Sequence, residues 1–277
     1  MNIEARLRAA LDTTQPLTLT PVSGGSINRA ARVQAGSDRY FVKSVQDPPP
    51  GFFALESEGL RALTVRVPQV IAVDEHFLLL EWIESASRTR QAARRLGEAL
   101  AQHHARHAAS YGWPEDNFIG SLHQPNSHAD SWAAFYAEKR LQPQREQAAE
   151  RGRLPTQRAR LLDRLIERMD DFLDEPPAAV LHGDLWGGNW LATSGEQPVL
   201  IDPAVYRGDP EVDLAMARLF GGFPPSFFEA YDGVLPPRPG AADRVELYQL
   251  YYLLVHLNLF GESYGGSVDR ILQRYLG

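Results

Sequence analysis

The 277-residue chain contains no cysteine, which excludes structural disulfides, thiolate zinc sites, iron–sulfur ligation and thiol redox switches. An excess of basic residues is also missing: 28 Lys and Arg stand against 35 Asp and Glu, a formal net charge of −7. This balance argues against a protein that wraps nucleic acid or binds membranes through a polybasic surface, although a local basic cleft can still receive a small anion. We therefore expect neither a nucleic-acid partner nor a membrane partner.

Long apolar runs are absent as well. The longest, residues 251–260, includes His256 and Asn258 and is far shorter than the roughly 20 apolar residues of a membrane span. The N-terminal stretch carries acidic residues and no continuous apolar core, so no secretory signal is predicted. These features predict a globular cytoplasmic protein, and the length favours one large domain or two lobes that share a cleft.

The first third of the chain has the pattern of a small antiparallel sheet with one helix. Runs of strand-forming residues bounded by turn residues predict five strands, at residues 17–22, 30–34, 39–45, 70–73 and 77–82. Gly36-Ser37-Asp38 supplies the tight turn between the second and third strands. After the third strand, Phe53 and Leu60 fall close to helical spacing, and Val67-Pro68 ends that helix.

Helical patterns dominate from residue 85 onward. Apolar residues recur at three- and four-residue spacing in residues 161–172, and residues 245–260 are apolar on nearly all sides, which predicts a buried helix. Short strand-like runs interrupt this pattern at residues 178–181, 190–192 and 199–201. The expected fold is α+β and bilobal, with a small antiparallel-sheet N-lobe at residues 1–84 and a larger, mainly helical C-lobe at residues 85–277.

The strongest chemical signal is the sequence HGDLWGGN at residues 182–189, which is followed by Asp202 after an apolar run. Its spacing, H-x-D-x-x-x-x-N, matches the catalytic loop of protein-kinase-like phosphotransferases. On this match Asp184 is the catalytic base, Asn189 and Asp202 bind metal, and His182 braces the loop. Two carboxylates and a carboxamide suit Mg²⁺. The alternative is a surface loop in which Asp and Asn only form turns; the position of Asp202, one short hairpin beyond the loop, favours the catalytic interpretation.

Independent support comes from the predicted N-lobe. Lys43 lies on the third strand in a Val-Lys context similar to the V-A-I-K of kinases, and Glu56 lies in the next helix, so the two are candidates for the ion pair that orients ATP phosphates. Taken singly, each is an ordinary surface charge. The turn formed by Gly24, Gly25, Ser26 and Asn28 is a candidate phosphate loop, although it matches neither G-x-G-x-x-G nor the P-loop. The backbone of Glu81, Trp82 and Ile83 is the expected adenine contact.

Taken together, these segments resemble the fructosamine kinase (ketosamine-3-kinase) family, a branch of the kinase-like fold near the aminoglycoside and choline kinases. The resemblance covers almost the whole chain. Its discriminating parts are GGSIN at residues 24–28, YGWPEDNFIG at residues 111–120, Trp186 inside the catalytic loop, and YRGDPEVDLAM at residues 206–216. Trp faces pack on sugar C–H groups, and amides satisfy hydroxyls. Substrate contacts are therefore expected from Asn117, Gln124 and Trp186. Asp209 is a candidate contact for the acceptor amine, although an Asp at a helix start is equally a cap.

Several conspicuous residues are assigned structural roles instead. Trp132 and Phe135 are expected to anchor a helix to the core rather than to bind a sugar. Asp213 is expected to cap a helix or brace a loop. The cluster HHARH at residues 103–107 lacks the glutamate and third ligand of a zinc site, so it predicts a partly buried helix.

The resemblance implies ATP and Mg²⁺ as cofactors and phosphoryl transfer to O3 of a ketosamine. Small-molecule fructosamines or ribulosamines and glycated protein lysines are the implied substrates. The 3-phosphate product is labile, so the implied role is deglycation. Two alternatives stay open: a kinase for another small alcohol, such as an aminoglycoside, choline or an amino alcohol, and a non-catalytic nucleotide-binding module on the same fold.

Overall fold

The structure is a computed structural model, and it describes residues 3–22 and 29–277. The chain opens with a helix and then forms an antiparallel sheet of order β1-β2-β3-β5-β4. The elements of this N-terminal part are α1 (Ile3–Ala10), β1 (Leu17–Pro21), β2 (Arg29–Ala35), β3 (Asp38–Ser44), α2 (Phe52–Ala62), β4 (Val70–Val73) and β5 (Phe77–Glu81). The predicted five-stranded antiparallel sheet is thus confirmed, with strand ends within a residue or two of those expected.

The two faces of the sheet bury different sets of apolar residues. The face to which a strand residue belongs shows the direction in which its side chain points. Phe77 and Leu79 of β5 pack with α1 on one face, whereas Leu78 and Leu80 pack with α2 on the other. Side chains alternate along a strand. On β3, Val42 belongs to the α1 face, so the next residue, Lys43, points toward α2.

The C-terminal part begins with α3 after the segment that follows β5, and the predicted lobe boundary at residues 84 and 85 falls within that segment. Helices make up most of it: α3 (Arg90–His104), α4 (Trp132–Phe135), α5 (Gln142–Glu150), α6 (Thr156–Glu167), α7 (Glu211–Leu219), α8 (Pro225–Val234), α9 (Ala241–Phe260) and α10 (Gly265–Leu276). A π-helical segment, Tyr136–Leu141, joins α4 to α5, and 3-10 turns lie at Met169–Asp171, Gly187–Asn189 and Glu262–Tyr264.

Three short two-stranded ladders complete the C-terminal part. The hairpin of β6 (Asn117–Ile119) and β7 (Leu122–Gln124) stands alone, β8 (Ala179–Leu181) pairs with β11 (Tyr206–Gly208), and β9 (Trp190–Ala192) pairs with β10 (Pro198–Leu200). Because β8 ends at Leu181 and β9 begins at Trp190, the two ladders hold both ends of the predicted catalytic loop. The β6–β7 hairpin and β11 were not expected, since three-residue strands carry no readable alternation.

The central helix of this part is α9, which is buried along most of its length, as the sequence predicts. Its two ends emerge, with Ala242 and Asp243 exposed in the first turn and Phe260 exposed in the last. The helix expected through Phe172 is shorter than predicted: α6 ends at Glu167 and the chain continues into the 3-10 turn. No helix in residues 3–22 or 29–277 is long and apolar enough to span a bilayer.

Candidate active site

A cleft of about 690 Å³ lies between the sheet and the helical part, and its described walls include residues from both. Lys43 of β3 and Glu56 of α2 face it from the N-terminal side. Asp184, Asn189 and Asp202 face it from the C-terminal side. Five side chains expected to act together are therefore brought to one cavity.

Lys43 joins the two sides of the cleft. Its Nζ lies 2.7 Å from Oε1 of Glu56 and 2.7 Å from Oδ1 of Asp202. Burial opposes the charged form of this amine, but the two carboxylates outweigh it and raise the pKa of Lys43 above its ordinary value. The ammonium is thus charged and fixed where an anion in the cleft would meet it.

The loop after β8 depends on a glycine and a neutral histidine. Gly183 has φ +80°, and a Cβ there would lie 2.0 Å from the carbonyl oxygen of Ala204, so only glycine fits. His182 Nε2 donates to Ile201 O at 2.9 Å, and its Nδ1 accepts from Asp184 N at 3.2 Å. Burial lowers the pKa of His182, which keeps the ring neutral for this pair of bonds. His182 therefore braces the loop, as expected.

Asp184 projects from this loop into the cleft, where its Oδ2 accepts from Nδ2 of Asn189 at 3.0 Å. Removal from water, reinforced by the nearby carboxylate of Asp202, raises the pKa of Asp184 to about 7. A base with a pKa near the working pH is efficient in proton transfer. Asp184 therefore has the position and the basicity that proton abstraction requires.

Asp202 is held in an unusual backbone conformation, with φ +57°. Left-handed geometry is uncommon for a residue other than glycine and is tolerated best by Asp and Asn. The amide of Asn189 donates to Asp184 and lies 3.4 Å from the carbonyl oxygen of Asp202, which leaves its Oδ1 for a cation. The amide oxygen of Asn189 and the carboxylate of Asp202 face the same cleft. This donor set fits Mg²⁺, which binds through one or two protein oxygens together with phosphate oxygens and water.

Asp213, at the start of α7, anchors the loop from behind. Its fully buried carboxylate accepts from the backbone N of His182 at 2.7 Å and of Gly183 at 2.9 Å. His104 Nε2 lies 3.2 Å from the same carboxylate, and Nδ1 of that ring lies 2.8 Å from the hydroxyl of Tyr231. Although burial opposes ionisation, these bonds lower the pKa of Asp213. Asp213 therefore braces the loop, and His104 serves structure rather than metal binding.

Of the four residues expected to contact substrate, Trp186 is the one whose side chain is exposed. It lines the cleft and is 41% exposed. Asn117 also lines the cleft, but its Nδ2 donates to Val205 O at 2.8 Å and its Oδ1 accepts from Gln124 at 2.7 Å and from Asn126 at 2.9 Å. Its amide therefore holds the segment after Asp202.

The structure places Gln124 and Asp209 away from the described wall of the cleft. Gln124 is buried, donates to Asn117 and to Ala204 O, and accepts from the hydroxyl of Tyr251. Asp209 is fully buried, accepts from the hydroxyl of Tyr248 at 2.6 Å and pairs with Arg238. Neither lines the cleft. Both side chains make their hydrogen bonds inside the protein, where they brace the surrounding segments. Their contact with substrate stays a prediction.

Two aromatic residues of the same insert are structural, as expected. Trp132 and Phe135 are fully buried with rings stacked at 5.7 Å, and Trp132 Nε1 donates to the hydroxyl of Tyr248 at 2.9 Å. They anchor α4 against α9 and do not reach the cleft.

The remaining nucleotide-site predictions divide into two groups. Gly24, Gly25, Ser26 and Asn28 lie outside the described residues. Glu81, Trp82 and Ile83 end β5 and start the connecting segment, and none lines the described wall of the cleft. The carboxylate of Glu81 binds Arg66 at 2.6 Å and accepts from Gln69 N at 3.0 Å. Any adenine contact by this segment would thus use its backbone.

Sequence reasoning missed two features of the site. Arg88 donates to Gly187 O and Trp190 O, at 2.5 Å each, and so holds the backbone on both sides of Asn189.

The second feature is the outer wall of the cleft, which includes His256 and Phe260 of α9. A signal for the wall was available, because Tyr252, His256 and Phe260 recur at four-residue spacing on one helix.

Comparison with known proteins agrees with this architecture. A family model for fructosamine kinase matches residues 1–277. The "probable ketoamine kinase" of Enterococcus faecium is 40% identical over 263 residues, covering 92% of this chain and 94% of that protein. The chloroplastic protein-ribulosamine 3-kinase of Arabidopsis thaliana is 35% identical and covers 95% of this chain and 84% of that protein.

Comparison with solved structures agrees with the family match and with the fold. A crystal structure assigned to a fructosamine-3-kinase from Thermobifida fusca matches with a TM-score of 0.90 at 34% identity, over 99% of this chain and 98% of that one. A choline kinase from Streptococcus pneumoniae shares the fold, with a TM-score of 0.65 at 16% identity over 98% of this chain and 96% of that one.

The fold and the family match define an ATP-using phosphotransferase with an alcohol acceptor. The chain belongs to the fructosamine kinase family.

Proposed function

We propose that this protein transfers the γ-phosphoryl group of ATP to the O3 hydroxyl of a ketosamine, a fructosamine or ribulosamine carried by a free amine or a protein lysine. The observation that carries the proposal is the meeting of Lys43, Asp184, Asn189 and Asp202 in one cleft. The "ribulosamine 3-kinase" of Arabidopsis supports both the acceptor class and the position of transfer.

In this proposal Asp184 orients the acceptor hydroxyl and takes its proton. The hydrogen bond from Asn189 fixes its carboxylate, and its raised pKa lets it hold the proton near neutral pH. The backbone bonds from His182 and Gly183 to Asp213 keep the loop from moving as the proton transfers. Positioning of this kind supplies much of the catalysis in phosphoryl transfer.

The donor side of the site uses a fixed cation. Lys43, held by Glu56, pairs with the phosphates of ATP. Gly24, Gly25, Ser26 and Asn28 are the proposed further phosphate contacts. Residues 81–83 receive the adenine through their backbone. Asn189 and Asp202 would hold Mg²⁺, which would offset charge on the phosphate oxygens when bound. Residues 1–84 thus act as the nucleotide lobe and residues 85–277 as the catalytic and substrate lobe.

A role in deglycation follows from this chemistry, because a 3-phosphorylated ketosamine is labile and releases the amine. A cytoplasmic location belongs to the same proposal, since glycated amines and ATP occur together there.

The test is ATP turnover with Mg²⁺, measured in parallel against a ribulosamine, a fructosamine, choline and an aminoglycoside. The phosphate position in any product is then determined by phosphorus NMR. We expect turnover of the ketosamines with the phosphate on O3. Preferential turnover of choline or the aminoglycoside would replace the acceptor assignment, and binding of ATP without consumption in the presence of every acceptor would contradict the catalytic assignment.

A further inference from the structure

Four aromatic side chains form a cluster on the outer wall of the cleft, which we call the aromatic rim: Phe220, His256, Phe260 and Tyr264. The ring of His256 lies at its centre, 4.5 Å from that of Phe220, 5.4 Å from that of Phe260 and 5.1 Å from that of Tyr264. Phe220 is 37% exposed and Phe260 49%. Large aromatic rings left open beside an active-site cavity mark a binding surface.

The rim is connected to the catalytic loop through α9. Tyr252 of that helix donates its hydroxyl hydrogen to Gly183 O at 2.9 Å, next to Asp184. His256 and Phe260 follow at one and two helical turns, about 5.4 Å per turn. Along the axis of α9, His256 and Phe260 of the rim therefore lie roughly one and two turns beyond the residue that contacts the catalytic loop.

This spacing along α9 can be compared with the separation between O3 and the amine nitrogen of a ketosamine, the proposed acceptor. In a ketosamine, O3 and the amine nitrogen on C1 are separated by four bonds, which span at most about 5 Å. With O3 at Asp184, the sugar occupies the space beside Trp186, and the substituent on the nitrogen continues outward to the rim.

The charged groups of the cleft wall indicate which kinds of substituent the rim can bind. Among the described residues that line the cleft, Lys43 is the one basic side chain that is always charged, and it is paired with Glu56 and Asp202. The Nδ1 of His256 donates to Tyr252 O at 2.8 Å, and burial lowers the pKa of this ring, so it is neutral. A carboxylate at the rim would find no free counterion among the described residues of the cleft wall, whereas an apolar or aromatic group would pack on ring faces.

We infer that the aromatic rim is the subsite for the substituent on the acceptor amine, and that it selects apolar and aromatic substituents over those with a carboxylate next to the nitrogen. This inference rests on the proposed function. It includes lysine-linked ketosamines, because four methylenes separate the lysine ε-nitrogen from the peptide backbone.

The experiment compares ketosamines that share one sugar and differ only in the amine: methylamine, butylamine, benzylamine and glycine. For the wild-type protein we expect kcat/KM in the order benzylamine, butylamine, methylamine, glycine, with roughly a tenfold gap between the benzylamine and methylamine derivatives. The difference should lie in KM, because the rim binds the substituent equally in the ground and transition states.

Variants assign the selectivity to the rim. Phe260→Ala and Phe220→Ala should lower the benzylamine-to-methylamine ratio of kcat/KM toward one, and Phe260→Tyr should retain it. Val234→Ala, at a position exposed to a similar degree but outside the cleft, should keep the wild-type ratio. Equal kcat/KM for all four derivatives, or a ratio that Phe260→Ala and Phe220→Ala leave intact, would overturn the inference alone. Absence of turnover with every ketosamine would overturn the proposed function as well.

Discussion

The ammonium group of Lys43 lies 2.7 Å from Oδ1 of Asp202, so an ion pair joins the N-terminal sheet directly to the segment that follows the catalytic loop. The same ammonium is held by Glu56 on α2. These two carboxylates fix the position of Lys43. In the proposed reaction the phosphates of ATP would share the charge of Lys43, while Glu56 keeps it in place.

Replacement of this cation provides the first prediction. Lys43→Met should lower kcat/KM for ATP by about 10²- to 10³-fold, the range found when one preorganised electrostatic contact is lost. The chain has only one other lysine, Lys139 on the π-helical segment, so Lys139→Met is a matched control. Steady-state kinetics with a saturating ketosamine measures the effect. Equal losses in the two variants would show that Lys43 does not act on the nucleotide.

Asp184→Asn removes the proposed base while preserving the shape of the side chain. We expect kcat to fall by about 10²- to 10⁴-fold, the usual contribution of a positioned acid or base. ATP binding, followed by titration calorimetry, should persist because the phosphate contacts are made by other side chains. Asp130→Asn, at an exposed site, controls for the change of one charge. A folded Asp184→Asn protein with near-wild-type turnover would rule out this base.

How far the sequence predicts the site depends on whether the signal is local. Alternation along β3 is a local property, so it correctly directs Lys43 away from Val42 and toward α2. The spacing of the catalytic loop is local as well, and it places Asp184 and Asn189 within hydrogen-bonding distance.

Burial of a polar side chain cannot be predicted from the local sequence, because its hydrogen-bond partners come from distant segments. Asp209 lies beside a turn in sequence, yet its partners Tyr248 and Arg238 belong to α9 and to the loop before it. Gln124 is likewise satisfied by Tyr251. Neither pairing leaves a trace in the residues nearby, so both were predicted as substrate contacts.

Asp213 offers a test of the loop anchor. Asp213→Asn replaces a buried carboxylate that accepts from two backbone N–H groups with an amide whose NH₂ would face a donor. We expect about 3 kcal/mol of lost stability, the order of magnitude for breaking a buried charge-assisted network. Urea unfolding measures the change, with Asp170→Asn at an exposed position as the control. If the two variants unfold at the same urea concentration, the anchor is energetically unimportant.

The buried ring of His103 should make stability depend on pH. Thr64 N lies 3.3 Å from its Nδ1, and the ring is 3% exposed. Burial, with a contribution from His104, lowers the pKa of His103 from 6.5 to about 4. Because the unfolded chain binds this proton more readily, the stabilising contribution is complete above pH 6.5 and is lost as the pH falls toward 4.

The corresponding variant is His103→Asn, whose side-chain oxygen can accept from Thr64 but cannot titrate. Between about pH 7.5 and about pH 5, the wild-type protein should lose roughly 2 kcal/mol more unfolding free energy than this variant. The comparison cancels the titration of groups common to both proteins, including His182 and Asp184. His107→Asn, on an exposed ring just beyond α3, should retain the wild-type slope. If the unfolding free energies of wild type and His103→Asn fell in parallel as the pH is lowered, His103 would not be the group that controls the loss of stability in acid.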